Sequence, residues 1–170
     1  LVFSTVMWAR LDNNYIIIVL FVTICFGGIG FIDDYLKVSR QNPKGVSSKI
    51  RLLSGFLVAA VAAYFIATTH PDALQNRLAL PIFKNLLVDL GFLFVPFAMI
   101  VIVGSANAVN LTDGLDGLAI MPVMIAAGAL GVIAYAVGRV DFTEYLDVHN
   151  VNGTGEILIL CSGIFGAGLG

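Results

Sequence analysis

The sequence predicts an all-α fold, a polytopic bundle of transmembrane helices, from three observations. Hydrophobic residues make up 59% of the chain and charged residues 12%, against roughly 25% charged residues in an ordinary soluble domain. The mean hydropathy is +0.96, and long uncharged runs alternate with short polar segments. Because a soluble domain of this size must still cover itself with polar groups, a lipid bilayer is the expected solvent.

The uncharged runs define the spans of one predicted transmembrane domain covering residues 1–170. Each complete run has about the length needed to cross roughly 30 Å of hydrocarbon at about 1.5 Å per residue. Complete spans are predicted at residues 15–32, 52–69, 90–106 and 117–137, and partial spans at residues 1–9 and 157–170. Consecutive uncharged runs argue against buried helices of a large soluble protein, and the lack of period-two alternation argues against a transmembrane barrel.

The basic residues of the connecting segments predict the orientation. The segment 33–51 holds more of them than the segments 70–89 and 138–156. Those in the first segment are Lys37, Arg40, Lys44, Lys49 and Arg51. By the positive-inside rule the first segment is cytoplasmic and the other two are external. Two spans separate residues 33–51 from residues 107–116, and an even number of crossings returns the chain to the same side, so we predict cytoplasmic loops at both places.

A first polar cluster, Asp33, Asp34 and Lys37, stands where the first complete span ends. Adjacent carboxylates repel each other, so such a pair needs a cation or one raised pKa. Mg²⁺ binds one or two carboxylates together with substrate phosphates, which suits the pair. Lys37 follows Asp34 by three residues on the same helical face, where it can neutralise the pair or bind a phosphate. A solvated helix end is the alternative interpretation.

A second polar cluster, Asn107, Asn110, Asp113 and Asp116, lies between the third and fourth complete spans. Its members recur every three positions, so a helical continuation would place them on one face. A glycine follows each aspartate and permits close approach of a ligand to the backbone. The run lacks the ligand spacing of a calcium loop. A polar turn is the alternative, but this density of polar residues beside a membrane favours a functional site.

Together the two clusters predict an acidic site that faces the cytoplasm and opens toward lipid. Phosphoryl transfer requires such groups: a metal offsets phosphate charge, a lysine binds oxygens, and an aspartate accepts a proton or activates a nucleophile. The location predicts one soluble phosphorylated substrate and one lipid substrate. We expect no nucleic-acid partner, and the net charge of -2 gives no reason for one.

The segment Asp33-Asp34-Tyr35-Leu36-Lys37 and the segment from Asn107 to Ala119 resemble the signatures of the phospho-N-acetylmuramoyl-pentapeptide transferase family. That family belongs to the polyprenyl-phosphate N-acetylhexosamine-1-phosphate transferase superfamily, and the resemblance extends over essentially the whole chain. It implies transfer of phospho-N-acetylmuramoyl-pentapeptide from its UDP conjugate to undecaprenyl phosphate, giving lipid I and UMP for peptidoglycan synthesis. It also implies Mg²⁺ as cofactor, a homodimer, and a site on the cytoplasmic face of the bacterial inner membrane.

The resemblance further implies roles for individual residues. Asp33 is the candidate for deprotonating or organising the lipid phosphate, and Asp34 and Lys37 would lie beside it around the metal and the phosphates. Both aspartates are candidate metal ligands. The residues that would shape the nucleotide-sugar pocket are Asn107, Asn110, Asp113 and Asp116, the last a candidate for the uracil edge. The family also has N-terminal helices, a further metal-binding aspartate expected after Gly170 and a histidine-rich loop, so we expect this sequence to be an internal piece that is inactive alone.

Two competing functions stay open at this point. A sister enzyme would transfer N-acetylglucosamine-1-phosphate, or a related sugar phosphate, to a polyprenyl phosphate with the same fold and metal. The Tyr35-Leu36-Lys37 and Leu111-Thr112-Asp113 segments favour the muramoyl-pentapeptide branch. A transporter would place acids near the bilayer midplane on broken helices, whereas here the predicted spans are uncharged and the acids stand at their ends.

Overall fold

A computed structural model describes residues 1–39, 45–71, 73–80, 83–112 and 117–170. The described chain is mainly helical. Its helices are α1 (Val2–Trp8), α2 (Asn14–Ser39), α3 (Ser48–Thr69), α4 (Phe94–Thr112), α5 (Ile120–Val137), α6 (Val140–Leu146) and α7 (Ile157–Leu169). Short 3₁₀ turns at Gly91–Leu93 and Thr154–Glu156 lead into α4 and α7. A hairpin of β1 (Arg77–Leu80) and β2 (Phe83–Asp89) lies between α3 and α4.

Four helical segments are long and apolar enough to cross a membrane. They are Asn14–Ser39, Ser48–Thr69, Gly91–Thr112 and Ile120–Val137. Only 6% to 28% of the most apolar window of each is buried inside the structure, and large side chains such as Phe31, Leu57 and Ile125 are more than half exposed. Continuous apolar surface on this scale is unfavourable in water and matches a hydrocarbon environment. The predicted fold class is confirmed, and the chain is a multi-pass membrane protein.

Helix α3 packs through a stripe of small residues. The buried residues that recur every four positions are Gly55, Ala59, Ala63 and Ala67. This face meets α2 and α4, and a Cβ added at Gly55 would lie 3.6 Å from the Phe26 ring and 4.0 Å from Val103. Small side chains let helix backbones approach closely and gain van der Waals contact, which drives helix association in lipid. The stripe therefore fixes α2 and α4 relative to each other.

A second packing group joins α5 to α7, with α1 and α2 against α7. At its centre Gly131 of α5 faces α7 so closely that an added Cβ would lie 2.9 Å from both Cys161 and Leu158. Ile16 and Leu20 of α2 are buried in one hydrophobic cluster with Leu160 of α7. Helix α2 thus belongs to both packing groups and connects them.

Helices α2 and α4 continue beyond the apolar spans predicted for them. Helix α2 runs to Ser39 rather than ending at residue 32, and α4 runs to Thr112 rather than ending at residue 106. Solvated polar side chains do not end a helix, and no proline or glycine interrupts either extension. The predicted loops at 33–51 and 107–116 are therefore partly helical. Residues 40–44 and 113–116 lie outside the described residues.

The segment 70–89, expected to be an external loop, contains the hairpin. Strands β1 and β2 are antiparallel, with Arg77 opposite Asp89 and Leu78 opposite Val88. Opposite charges and branched apolar side chains are favourable cross-strand pairs. The hairpin carries little signal in the sequence because β1 has only four residues, too few for alternation to stand out beside the long apolar runs.

The helix ends gather at two ends of the bundle. At one end, residues near the start of α2, the end of α3 and the end of α5 line a common cleft. Hydrogen bonds close this end: the Arg10 backbone N–H donates to Glu156 Oε2 at 3.1 Å, and Asn13 Nδ2 donates to the Gly153 carbonyl at 2.7 Å. Here the Arg139 guanidinium donates to Asp141 and holds the pKa of that carboxyl below its ordinary value. We call this the opposite end of the bundle, because the predicted site around Asp33 lies at the end where α2 finishes.

Candidate active site

Asp33 is buried near the end of α2 in spite of its charge, with 6% of its surface exposed. Its Oδ2 lies 2.6 Å from Lys37 Nζ, one helical turn further on. Its Oδ1 accepts a hydrogen bond from the Val46 backbone N–H at 2.7 Å. A buried carboxylate without partners costs several kcal/mol, whereas these contacts favour its ionised form. Asp33 is therefore a fixed negative charge around which the end of α2 and the following loop are organised.

Lys37 joins the two adjacent carboxylates. Its Nζ is also 3.1 Å from Asp34 Oδ1, so the cation that the acidic pair was predicted to need is present within the same helix. The two carboxylates differ in exposure, since the Asp34 side chain is 77% exposed and that of Asp33 is 9% exposed. The pair therefore presents one accessible carboxylate, that of Asp34, above a buried one.

Gly45 and Val46, in the loop before α3, cover the Asp33 carboxylate. Gly45 has φ +54, and a Cβ added to it would lie 2.5 Å from Asp33 Oδ1 and 2.9 Å from Lys37 Cε. Only glycine fits this place, because both the left-handed backbone and the close approach exclude a side chain. This contact was not predicted from the sequence. The glycine itself was the available signal, but nothing local indicated which side chain it would meet.

The second cluster is brought to the first by α3. Asn107 and Asn110 of α4 line a cavity of about 220 Å³ together with Arg51 and Gly55 of α3 and residues of α2. Arg51 Nη1 in turn lies 3.9 Å from Asp33 Oδ2. Asn107 and Asn110 thus lie at the same end of the bundle as Asp33. We call this the site end.

The second cluster is described only in part. Asn107 Nδ2 donates to the Val103 carbonyl at 2.8 Å, one turn back in α4, which fixes the orientation of its amide. Asn110 is exposed and lines the cavity without a hydrogen bond of its own among the described residues. Asp113 and Asp116 lie outside the described residues, and their place in the site stays a prediction. Arg51 was counted among the basic residues of its loop and was not predicted as part of the site.

The sequence from residue 16 to residue 170 matches the model of a protein family described as glycosyl transferase family 4. This match begins in the first turn of α2, continues through α7 and includes both polar clusters. The chain belongs to glycosyl transferase family 4.

Curated relatives of this family 4 chain are named phospho-N-acetylmuramoyl-pentapeptide-transferase. The chain is 69% identical to one from Ruegeria sp. (strain TM1040) over 170 residues, which are 100% of this chain and 47% of the relative. It is 62% identical to one from Dinoroseobacter shibae, with the same coverage, and 52% identical to one from Maricaulis maris over 98% of this chain and 47% of the relative. The chain spans about half the length of these relatives. The resemblance predicted from the two acidic segments is confirmed.

The carboxylates of this family 4 chain suit Mg²⁺ in kind and number. Among the described residues, no three His, Cys, Asp or Glu side chains form a group that could hold a metal ion. Mg²⁺ does not require such a group, since it commonly takes one or two carboxylates and completes its shell with water and phosphate oxygens. Asp34 offers an exposed carboxylate for this purpose, while both oxygens of Asp33 already contact Lys37 or Val46. Asp34 is the more accessible of the two predicted ligands.

Proposed function

We propose that this chain forms part of the active site of a transferase that moves phospho-N-acetylmuramoyl-pentapeptide from its UDP conjugate to undecaprenyl phosphate, giving lipid I and UMP. The observation that carries the proposal is the charged group of Asp33, Asp34 and Lys37 at the end of the apolar helices, with Asn107 and Asn110 nearby. The names of the relatives supply the sugar-peptide substrate. The proposal concerns the full-length protein, of which this chain supplies one wall of the site.

The reaction joins two substrates that are both negatively charged. An oxygen of undecaprenyl phosphate forms a bond to the β-phosphorus of the UDP conjugate, and the bond from that phosphorus to the oxygen that leaves with UMP breaks. A phosphate monoester is largely a dianion near neutral pH, because its second pKa is about 6. The nucleophile therefore needs positive charge and alignment more than it needs a base. Lys37 supplies positive charge at the point where the helix meets the membrane surface.

The contacts divide the work between the two aspartates. Asp33 is buried and engaged at both oxygens, so it positions Lys37 and the loop at Val46 rather than removing a proton. Asp34 is exposed and holds one contact to Lys37, which leaves it able to meet the substrate phosphates or a metal ion. Asp34, the accessible carboxylate, would hold Mg²⁺ together with phosphate oxygens, and the metal would supply positive charge that offsets part of the phosphate charge. The division between a positioning carboxylate and an accessible one is part of the proposal.

The proposal places the site end at the cytoplasmic face of the bacterial inner membrane. The five basic residues of segment 33–51 support this side by the positive-inside rule. The location also suits the substrates, since the nucleotide sugar is soluble and the polyprenyl phosphate arrives from the bilayer. A homodimer is included because the resemblance implies it, and cross-linking in native membranes tests it.

The test measures UMP release by the purified full-length protein with undecaprenyl phosphate and Mg²⁺. We expect release with UDP-N-acetylmuramoyl-pentapeptide and none with UDP-N-acetylglucosamine. Asp33→Asn and Asp34→Asn should each lower turnover by about 10²–10³-fold, the scale seen when a charge-stabilising group is removed from an active site. Asp141→Asn, an exposed carboxylate paired with Arg139 at the opposite end, is the matched control and should retain turnover.

Two results would contradict the proposal in different ways. Release with UDP-N-acetylglucosamine alone would identify the sister enzyme and correct the substrate. If the wild-type protein is active and both Asp33→Asn and Asp34→Asn keep near-normal turnover, these aspartates are not part of the active site.

A further inference from the structure

We propose that Arg51 binds the diphosphate of the nucleotide-sugar substrate. This inference rests on the proposed function and adds a residue that neither polar cluster contains. Arg51 lies between the clusters, 3.9 Å from Asp33 on one side and in the same cavity as Asn107 and Asn110 on the other. Its position, its free hydrogen-bond donors and the size of the cavity each support the assignment.

The position of Arg51 follows from the packing of α3. Residue 51 precedes Gly55 by one helical turn, so it lies on the face whose buried small residues continue through Ala59 and Ala63. That face meets α2 and α4 along the apolar part of the bundle. At the end of the apolar part of α3, this face carries Arg51 in place of a small residue. A charged side chain is thereby fixed between the ends of α2 and α4, and Gly55 below it leaves room for the cavity.

The Arg51 guanidinium donates no hydrogen bond to the described residues. Asp33 Oδ2, its ionic partner among the described residues, is 3.9 Å away and is already contacted by Lys37 Nζ at 2.6 Å. A nitrogen-to-oxygen distance of 3.9 Å is too long for a hydrogen bond, so Asp33 attracts the guanidinium without accepting a hydrogen bond from it. The side chain of Arg51 is 37% exposed. A cation held in place with five donors and no hydrogen-bonded acceptor in the described part of the chain is suited to bind an anion.

The cavity favours a phosphate group over a whole substrate. At about 220 Å³ it is smaller than the roughly 300–1,000 Å³ of pockets that enclose complete small-molecule ligands. A guanidinium presents parallel N–H donors that match two oxygens of a phosphate, and the amides of Asn107 and Asn110 add neutral polar groups beside it. We assign the diphosphate rather than the lipid phosphate because these two asparagines belong to the segment predicted to shape the nucleotide-sugar pocket.

The test compares the binding of UDP and of uridine to the full-length protein in the presence of Mg²⁺. Arg51→Gln should weaken UDP binding by about 10–100-fold, the equivalent of one hydrogen-bonded charge contact, and leave uridine binding unchanged. Arg51→Lys keeps the charge without the paired donors and should fall between wild type and Arg51→Gln. Arg139→Gln, which removes an aspartate-paired arginine at the opposite end, is the matched control. In the transferase assay the KM for the UDP-sugar should rise while the KM for undecaprenyl phosphate stays constant.

The possible results distinguish failure of the Arg51 assignment from failure of the proposed transferase function. Equal loss of UDP and uridine affinity in Arg51→Gln would show a structural role and overturn the assignment. Unchanged UDP affinity, or a rise in the KM for undecaprenyl phosphate instead, would also overturn it. If the wild-type protein releases no UMP from UDP-N-acetylmuramoyl-pentapeptide, the proposed function fails, while the UDP and uridine comparison still decides whether Arg51 binds a diphosphate.

Discussion

Asp33 and Asp34 are adjacent in the chain, but their carboxylates lie in different surroundings. A helix turns by about 100° per residue, so neighbouring side chains point in different directions. Asp33 faces the loop at Val46 and α3, and its side chain is 9% exposed, whereas that of Asp34 is 77% exposed. Lys37 contacts both, because it follows them by four and three residues. One helical turn thus yields a buried carboxylate, an accessible carboxylate and an ammonium group between them.

The loop glycine above Asp33 gives a prediction at the scale of a single residue. Gly45→Ala would place a Cβ within 2.5 Å of Asp33 Oδ1, so the hydrogen bond from Val46 must break or Lys37 must move. We expect transferase turnover to fall by at least about tenfold, since loss of one charged hydrogen bond is worth about 1.5–3 kcal/mol. The UMP-release assay measures this.

Gly91→Ala is the matched control for that change. Gly91 also has a left-handed backbone, with φ +47, and its added Cβ would meet nothing closer than Asp89 Oδ1 at 4.0 Å. Both variants carry a similar backbone strain, of about 1–3 kcal/mol, but only Gly45→Ala disturbs the site. Equal turnover in the two variants would show that the contact with Asp33 has no functional weight.

At this scale, local spacing predicted some contacts and left others out. The Lys37–Asp34 contact was predictable because residues three apart on a helix are neighbours. The Asp33–Val46 and Asp33–Arg51 contacts join separate elements and depend on how the loop and α3 pack. Arg51 carried one readable signal, its place one turn before the small-residue stripe that begins at Gly55. This position indicates that Arg51 lies between the ends of α2 and α4 only when the packing of α3 against both helices is known.

At the scale of elements, hydropathy predicted which segments are helical and much less well where they end. An uncharged run of about 20 residues has few alternatives to a helix in lipid. The ends are set by different forces, because water can satisfy the backbone and side chains of a protruding turn. The apolar runs therefore did not indicate that α2 extends to Ser39 and α4 to Thr112, and the three-residue spacing of the polar side chains was the available signal. These extensions carry Asp34, Lys37 and Asn110.

The contact between α5 and α7 gives a prediction for a pair of elements. Gly131→Ala would bring a Cβ to 2.9 Å from Cys161 and Leu158, so the two helices must separate or repack. Overpacking of this kind costs about 1–3 kcal/mol. We expect a lower thermal unfolding temperature in detergent, measured on the full-length protein.

Gly128→Ala, one turn away on α5, separates this packing effect from the effect of alanine itself. Its added Cβ would lie 3.8 Å from the Phe165 ring, an ordinary contact, and alanine favours helix by up to about 1 kcal/mol over glycine. The unfolding temperature of this variant should be unchanged or higher. A loss of stability in Gly128→Ala as large as that in Gly131→Ala would contradict the role assigned to the α5–α7 contact.

At the scale of the whole molecule, the bundle has two polar ends of different character. At the opposite end hydrogen bonds join the α1–α2 turn to the segment before α7, and two exposed ion pairs, Arg10–Asp12 and Arg139–Asp141, lie at the surface. The site end holds a buried carboxylate, a cavity, and an arginine whose guanidinium donates no hydrogen bond to the described residues. The even number of predicted spans between the two polar clusters was enough to predict that both lie at the same end. The distances between them required the packing of three helices.

The difference between the two ends leads to a prediction about membrane topology. Val38 at the site end and Tyr145 at the opposite end are 81% and 86% exposed, so a cysteine at either position should react equally well with a maleimide in detergent. In intact spheroplasts, a membrane-impermeant maleimide should label Tyr145→Cys and should label Val38→Cys only after permeabilisation. The basic residues of segment 33–51 are the physical reason, because they keep that segment on the cytoplasmic side. Cys25 and Cys161 lie within helices of the apolar bundle, and the experiment uses full-length protein in which these two and any further cysteines are replaced by serine. Labelling of Val38→Cys from outside would place the site away from the soluble nucleotide sugar, and the proposed reaction could not occur there.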